Sequence, residues 1–181
     1  DFFAIGPRRL AVLVADVAGK GTSAALYMAE LKGLMLALSH TEPSPRRLLG
    51  DVNRRLAGHL GPRSFITMTY AVIDLDRLTL VAARAGHTPL IVVRRGRALA
   101  LQPDGIVLGL SVPGAAERFE TLLAEHTHAI EPGDVFVFYT DGLTEAVNTA
   151  GELFGDETLA RVVADQAHLP AAAIRDRVLG E

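Results

Sequence analysis

Between Phe65 and Leu101 four strand-like segments follow one another with connections of only a few residues. They are Phe65 to Ile73, Leu78 to Ala85, Leu90 to Val93 and Ala98 to Leu101, the first of them β-branched and aromatic. Asp74 to Asp76 reads as the first turn and Arg95-Gly96 as a hairpin tip. Parallel neighbours need a crossover of a dozen or more residues, so strands joined this closely run antiparallel. That excludes a doubly wound parallel sheet. Helical segments before and after the strands make the chain α+β.

The flanking helices are read from period and caps. Met28, Leu31, Met35 and Leu38 recur at one helical face. A second helix starts with Ser44 as N-cap and Pro45 at its first position, with Leu48, Leu49, Val52 and Leu56 on the apolar side. Arg46, Arg47, Arg54 and Arg55 then form a solvated face, with a basic docking patch as the alternative. Arg9 to Ala15 is a buried strand ahead of the helices. Phe119 to Ile130 is expected as an exposed strand, and Pro132-Gly133-Asp134 turns into a strand from Val135 to Tyr139. Helices are expected at Glu157 to Ala167 and, after Pro170, at Ala171 to Leu179.

With 181 residues the chain is the size of a single domain spanning 1–181. Its formal net charge of −3 does not suit a general nucleic-acid binder. There is no cysteine, which excludes a disulfide scaffold, a zinc–thiolate site and a cysteine nucleophile and fits a reducing cytoplasm. The most apolar stretch, Ala24 to Leu38, is interrupted by Glu30 and Lys32, so no membrane span is expected. The chain starts at Asp1 without an initiator methionine, and we expect it to be part of a longer protein.

Two aspartates share one context. Asp16 ends the strand Leu10 to Ala15, and Asp141 ends the strand Val135 to Thr140. Each precedes a segment able to turn sharply: Val17-Ala18-Gly19 and Gly142. A carboxylate there suits a hard, oxygen-ligated ion such as Mg²⁺ or Mn²⁺. An ordinary turn or helix-cap aspartate is the other reading. Gly19-Lys20-Gly21-Thr22 fails as a phosphate loop, because Gly21 sits where Ser or Thr must follow the lysine and Val14 where the first glycine belongs. His87, in Ala85-Gly86-His87-Thr88-Pro89, is either a ligand or a hydrogen-bonded turn residue. His126 and His128 share a strand face but have no third ligand nearby in sequence. No Gly-x-Ser-x-Gly elbow exists for a serine nucleophile.

Taken together, three segments resemble a known family. Asp16-Val17-Ala18-Gly19-Lys20-Gly21, with Ala24 to Met28 behind it, is similar to the Asp-Val-Ser-Gly-Lys-Gly signature of the SpoIIE-like bacterial serine phosphatases. These are metal-dependent protein phosphatases related to protein phosphatase 2C. Ala85 to Pro89 resembles that family's Ala-Gly-His-Asn-Pro. Gly133-Asp134, then Tyr139-Thr140-Asp141-Gly142-Leu143-Thr144-Glu145-Ala146, resembles its Gly-Asp and Tyr-Thr-Asp-Gly-Val-Thr-Glu-Ala. Gly151-Glu152-Leu153-Phe154-Gly155 continues the likeness.

The resemblance implies a four-layer α-β-β-α sandwich built on two antiparallel sheets. It implies two Mn²⁺ or Mg²⁺ ions that activate a water for attack on phosphoserine or phosphothreonine, with no side chain as nucleophile. By motif position, Asp16 and the Val17 carbonyl would bind metal and Asp141 the second ion. Gly19, Lys20, Gly21, Gly86, His87 and Gly142 would shape the loops. Ala18 replaces a common serine and Thr88 a common asparagine, both expected to be tolerated. The family's Gly-Gly-Asp ligand would lie upstream of Asp1 and its closing Asp-Asp-x-Thr strand downstream of Glu181. The domain is therefore expected to be truncated at both ends, lacking the first and last family strands and a ligand at each end, so that 1–181 alone is expected to bind metal weakly and to be impaired in activity. The expected partners are a phosphorylated anti-anti-sigma (STAS) protein as substrate and a sensory domain upstream in a longer chain, which a membrane could tether. A homodimer through an unpaired sheet edge is also expected. The alternative of another class is a catalytically weak or inactive partner-binding module of the same fold.

Overall fold

A computed structural model describes residues 1–61 and 64–180. Its elements in chain order are β1 (Phe2–Gly6), β2 (Arg9–Val17), α1 (Thr22–Leu38), α2 (Pro45–Leu56), β3 (Ile66–Asp74), β4 (Thr79–Ala85), β5 (Leu90–Arg94) and β6 (Arg97–Leu101). They continue with α3 (Ala115–Leu122), β7 (Glu125–Ala129), β8 (Val135–Val137), α4 (Asp141–Thr144), α5 (Gly155–Gln166) and α6 (Ala171–Leu179). The class is α+β as expected, with two antiparallel sheets. The chain divides into two compact units.

The first unit comprises residues 1–87 and 103–129 and holds a five-stranded sheet in the order β1-β2-β3-β4-β7. One face of it carries α1 and α2. Every second residue of β2 and β3, among them Ala11, Leu13 and Val17 with Ile66, Met68 and Tyr70, packs with Leu31, Met35, Leu48, Leu49 and Leu56. This two-residue period against a helical period is what joins sheet to helix. Ser44 caps α2 through a hydrogen bond from the Arg47 N–H to its Oγ at 3.2 Å, with Pro45 buried at the first turn. The α2 arginines are solvent-exposed, and three of them are tied into structure: Arg46 donates to the Leu123 carbonyl, Arg47 pairs with Glu42 and Arg54 pairs with Glu120 and Asp51.

The second unit comprises residues 88–102 and 130–181. Its three-stranded sheet runs β6-β5-β8. Ile91 and Val93 of β5 pack with Leu159 and Val163 of α5 and Ile174 of α6. The β5–β6 hairpin turns at Arg95 (φ 52°) and Gly96 (φ 73°), the pair of positive φ values that matches strand twist. Arg94 grips Asp134 and Glu131 at 2.6 and 2.9 Å, fixing the turn into β8.

Four readings are corrected. β4 and β5, closely joined in sequence, do not pair as antiparallel neighbours but belong to different sheets. The strand expected at Phe119 to Ile130 is helix at its start: α3 ends at Leu122, and only Glu125–Ala129 is strand. Phe119 and Leu123, four residues apart, are both buried in the first unit's core, a helical spacing. Asp141 does not end a strand. β8 stops at Val137, and Asp141 is the first residue of α4 with Thr140 at its N-cap. Residues 2–6, assigned to no element from sequence, form β1, paired with β2 from Phe2↔Val12 to Gly6↔Arg9.

Candidate functional site

Asp16 lies one residue before the end of β2, opposite Thr67 of β3. The Ala18 N–H donates to the Phe65 carbonyl at 2.9 Å. Hydrogen-bonded pairs alternate along an antiparallel ladder, so Asp16 and Thr67 are the next such pair and Val17 lies between. The Val17 carbonyl therefore turns away from β3, toward the β1 side of β2. β1 reaches only as far as Val12, with Asp1 bonding Leu13, so among the described residues no strand pairs with β2 there beyond Leu13. The Asp16 side chain is exposed, and its carboxylate has no hydrogen bond or ion pair among the described residues. Val17's side chain is buried and anchors the strand end.

The chain leaves β2 through Gly19 (φ 117°) and Gly21 (φ 84°), the N-cap of α1. Side chains rarely adopt such φ values, which is why the turn takes glycine. Lys20 between them is exposed.

Gly86 and His87 belong to the same neighbourhood. Gly86 bridges Met68 of β3 in parallel sense. His87 is buried, and its Nδ1 lies 2.8 Å from Thr67 Oγ1. Thr67 thus touches His87 while standing opposite Asp16. The His87 carbonyl accepts from Arg84 Nη1 at 2.7 Å, and Arg84 Nε donates to the Pro103 carbonyl at 3.1 Å. Burial holds the Arg84 guanidinium below its usual pKa, opposed by the charge of Asp104. At Gly86 a Cβ would come 2.6 Å from Val107 Cγ1, and φ is +65°. The glycine lets 86–87 approach the segment around Val107. Thr67 and Arg84 are the residues that sequence reasoning missed. Only strand register places Thr67 beside Asp16, and one sequence does not display register.

In the second unit, Asp141 opens α4 with its side chain exposed and its carboxylate without partner among the described residues. Its carbonyl accepts from the Glu145 N–H at 2.7 Å, closing the turn. Tyr139, two residues earlier, is the buried anchor. Its hydroxyl donates to Asp156 Oδ1 at 2.9 Å and its carbonyl accepts from Thr88 Oγ1 at 2.6 Å. Burial, then the Asp156 carboxylate, push the Tyr139 phenol far up, so it stays a donor. Gly142 has ordinary φ, and a Cβ there would meet only Thr140 Oγ1 at 3.7 Å, so its backbone does not require glycine.

The structure thus gathers Asp16, Val17, Gly19, Lys20, Gly21, Gly86 and His87 around one end of the β2–β3 pair, and sets Asp141 and Gly142 on the Tyr139 anchor of the other unit. The exposed Asp16 and Asp141 carboxylates, without partners among the described residues, and the Val17 carbonyl turned out of the ladder suit a hard dication. Among the described residues no three His, Asp or Glu side chains converge into a cation cluster, so the donors present fit part of such a site. His126 and His128 stand on β7 within that same absence. No helix among the described residues is long and apolar enough to cross a membrane.

The profile of the family described as stage II sporulation protein E (SpoIIE) matches residues 6–181. The phosphoserine phosphatase RsbU of Bacillus subtilis is 33% identical over 144 residues, covering 78% of this chain and 41% of RsbU. The chain thus spans less than half the length of this curated relative. Among solved structures, the RsbU and RsbW domains of Rv1364c from Mycobacterium tuberculosis superpose with a TM-score of 0.75 at 27% identity, over 98% of this chain and 48% of that one. The SiaA-PP2C domain of Pseudomonas aeruginosa gives a TM-score of 0.79 at 19% identity, over 99% and 70%. The second likeness speaks for the fold alone, that of a PP2C phosphatase domain.

Proposed function

This chain belongs to the SpoIIE family, and from that premise we propose that it is a metal-dependent serine/threonine phosphatase domain. The observation that carries the reading is the unpartnered Asp16 carboxylate at the open end of β2, beside a Val17 carbonyl turned out of the ladder. Asp16 and the Val17 carbonyl are the proposed cation ligands of the first unit, and Asp141 that of the second. Bound dications would supply Lewis acidity, lowering the pKa of a water and offsetting phosphoryl charge. Mn²⁺ and Mg²⁺ suit this all-oxygen donor set.

The chain's own residues do the positioning. Thr67 holds the His87 imidazole against β3, the strand paired with the one that presents Asp16, and Arg84 holds the His87 carbonyl. Tyr139 fixes the first turn of α4, so the Asp141 carboxylate sits on a short helix with a restrained start. Restraint of this kind keeps ligands near their working geometry. No cysteine is present to act as a nucleophile, which agrees with direct attack by water.

The proposed substrate is a phosphorylated anti-anti-sigma (STAS) protein in the cytoplasm; the likeness to the phosphoserine phosphatase RsbU supports phosphoserine as the group removed. A second reading is a partner-binding module of the same fold with little turnover. Incubation with a phosphoserine STAS domain separates the two. Phosphate release that appears only with Mn²⁺ supports the phosphatase. Tight binding of the STAS domain without release, with or without Mn²⁺, supports the module.

A further inference from the structure

The segment after α4 carries a surface that the phosphatase reading leaves unused. From Ala146 to Phe154 the chain doubles back as a short hairpin. The Phe154 N–H donates to the Ala146 carbonyl at 2.8 Å and the Asn148 N–H to the Glu152 carbonyl at 3.0 Å. Val147 and Leu153 face each other between these pairs, so they are a close, non-hydrogen-bonded pair with side chains on one face. Asn148 locks the tip. Its Oδ1 accepts from the N–H groups of Ala150 and Glu152 at 2.9 and 3.0 Å, and its Nδ2 donates to Glu152 Oε2 at 3.0 Å. An ordered hairpin thus holds two adjacent apolar side chains in water, each 64% exposed. A concavity of about 280 Å³ lies beside them, lined also by Asn148, Phe154 and Thr158. Scattered exposed apolar residues need no explanation, but a rigid pair beside a concavity has the form of an interaction site.

Charge says what fits there. Residues 141–160 contain Asp141, Glu145, Glu152, Asp156 and Glu157 and no lysine or arginine. The whole chain carries only −3, so this stretch is much more acidic than the remainder. Such a surround repels anionic lipid and acidic proteins and draws basic ones.

We propose that the 146–154 hairpin is a docking surface for a protein partner that presents an apolar side chain between basic residues. Val147 and Leu153 make the apolar contact, and the carboxylates select the charge. The proposal rests on the phosphatase reading only in that the partner would then be the substrate protein; the docking itself does not need it.

The test uses a fluorescein-labelled peptide with two leucines flanked by arginines, beside a version with serine for leucine. Anisotropy should show binding of the leucine peptide and at least roughly tenfold weaker binding after Val147→Ser with Leu153→Ser. Neither substituted side chain takes part in the Asn148 hydrogen bonds, so the hairpin should stay formed. Glu145→Gln with Glu157→Gln should weaken binding and flatten its salt dependence. Amide shift changes in the unaltered chain should centre on residues 145–154, which tests the surface even if a variant misfolds. No binding by the unaltered chain, equal binding of the serine peptide, undiminished binding by Val147→Ser with Leu153→Ser, or shifts centred elsewhere would each overturn the proposal. Attachment to phosphatidylcholine vesicles through the same pair, in place of the peptide, would overturn it in favour of a membrane surface. Mn²⁺-dependent hydrolysis of p-nitrophenyl phosphate, measured in parallel, should be the same in Val147→Ser with Leu153→Ser as in the parent chain. Its absence from the parent would count against the phosphatase and leave the docking result standing.

Discussion

At Gly86 a methyl group would meet Val107 at 2.6 Å on a backbone with φ of +65°. Both costs act together, so Gly86→Ala should destabilise the fold by about 2–3 kcal/mol, read as a shift in chemical denaturation. Gly142 lies in an equally recognisable motif but has ordinary φ and open space, so Gly142→Ala should change stability by less than about 0.5 kcal/mol. Tyr70 gives a pH-dependent counterpart. It is fully buried, its hydroxyl has no hydrogen-bond partner among the described residues, and burial pushes its phenol from the usual 10 to about 12. A phenol raised on folding favours the folded state in its neutral form. The stability it contributes is complete below pH 10 and is lost as pH rises toward 12. Tyr70→Phe should therefore flatten the fall in stability between pH 10 and 12. It should also leave the protein at least as stable at pH 7, because no hydrogen bond is lost with the hydroxyl. Thermal melts of both proteins across that range would check it, and an unchanged alkaline slope would contradict the assignment to Tyr70.

Among the elements, α2 shows how far local signals reach. Ser44 and Pro45 announce its start, and Leu48, Leu49, Val52 and Leu56 fall on the buried side as their spacing requires. Ser44→Ala removes the acceptor for the Arg47 N–H and a 2.7 Å donor to Glu125. It should cost about 1–2 kcal/mol, measured by denaturant unfolding. The β3–β4 and β5–β6 pairs were legible for a related reason, since short connections favour antiparallel hairpins; the equally close β4 and β5 were not, because they belong to different sheets. α3 was not. Its Phe119, Leu122 and Leu123 read as easily as strand, and what decides is that Phe119 and Leu123 reach the first unit's core together. β1 has five residues and takes its identity from its partner β2, so little in its own sequence marks it. Asp141 moved from strand end to helix start because Thr140 adopts an extended N-cap conformation and the Glu145 N–H closes back on the Asp141 carbonyl. These are choices made by hydrogen-bond closure, which side-chain pattern does not encode.

For the molecule as a whole, the family-bearing motifs were the most legible part, since each couples a carboxylate to glycines or a turn. The neighbours that support them were not. Thr67 sits 51 positions from Asp16 along the chain and reaches it only through the β2–β3 register (Asp16↔Thr67). Arg84 is recognisable as a support only once its guanidinium is seen on two carbonyls. The central claim is that Asp16 and Asp141 are cation ligands of a phosphatase. The most direct measurement is p-nitrophenyl phosphate hydrolysis with and without Mn²⁺ by the parent chain, Asp16→Asn and Asp141→Asn, with circular dichroism as the check on folding. The account predicts Mn²⁺-dependent hydrolysis by the parent and a loss on the order of a hundredfold or more in each folded variant. Hydrolysis that needs no metal, or that survives either substitution unchanged, would contradict it.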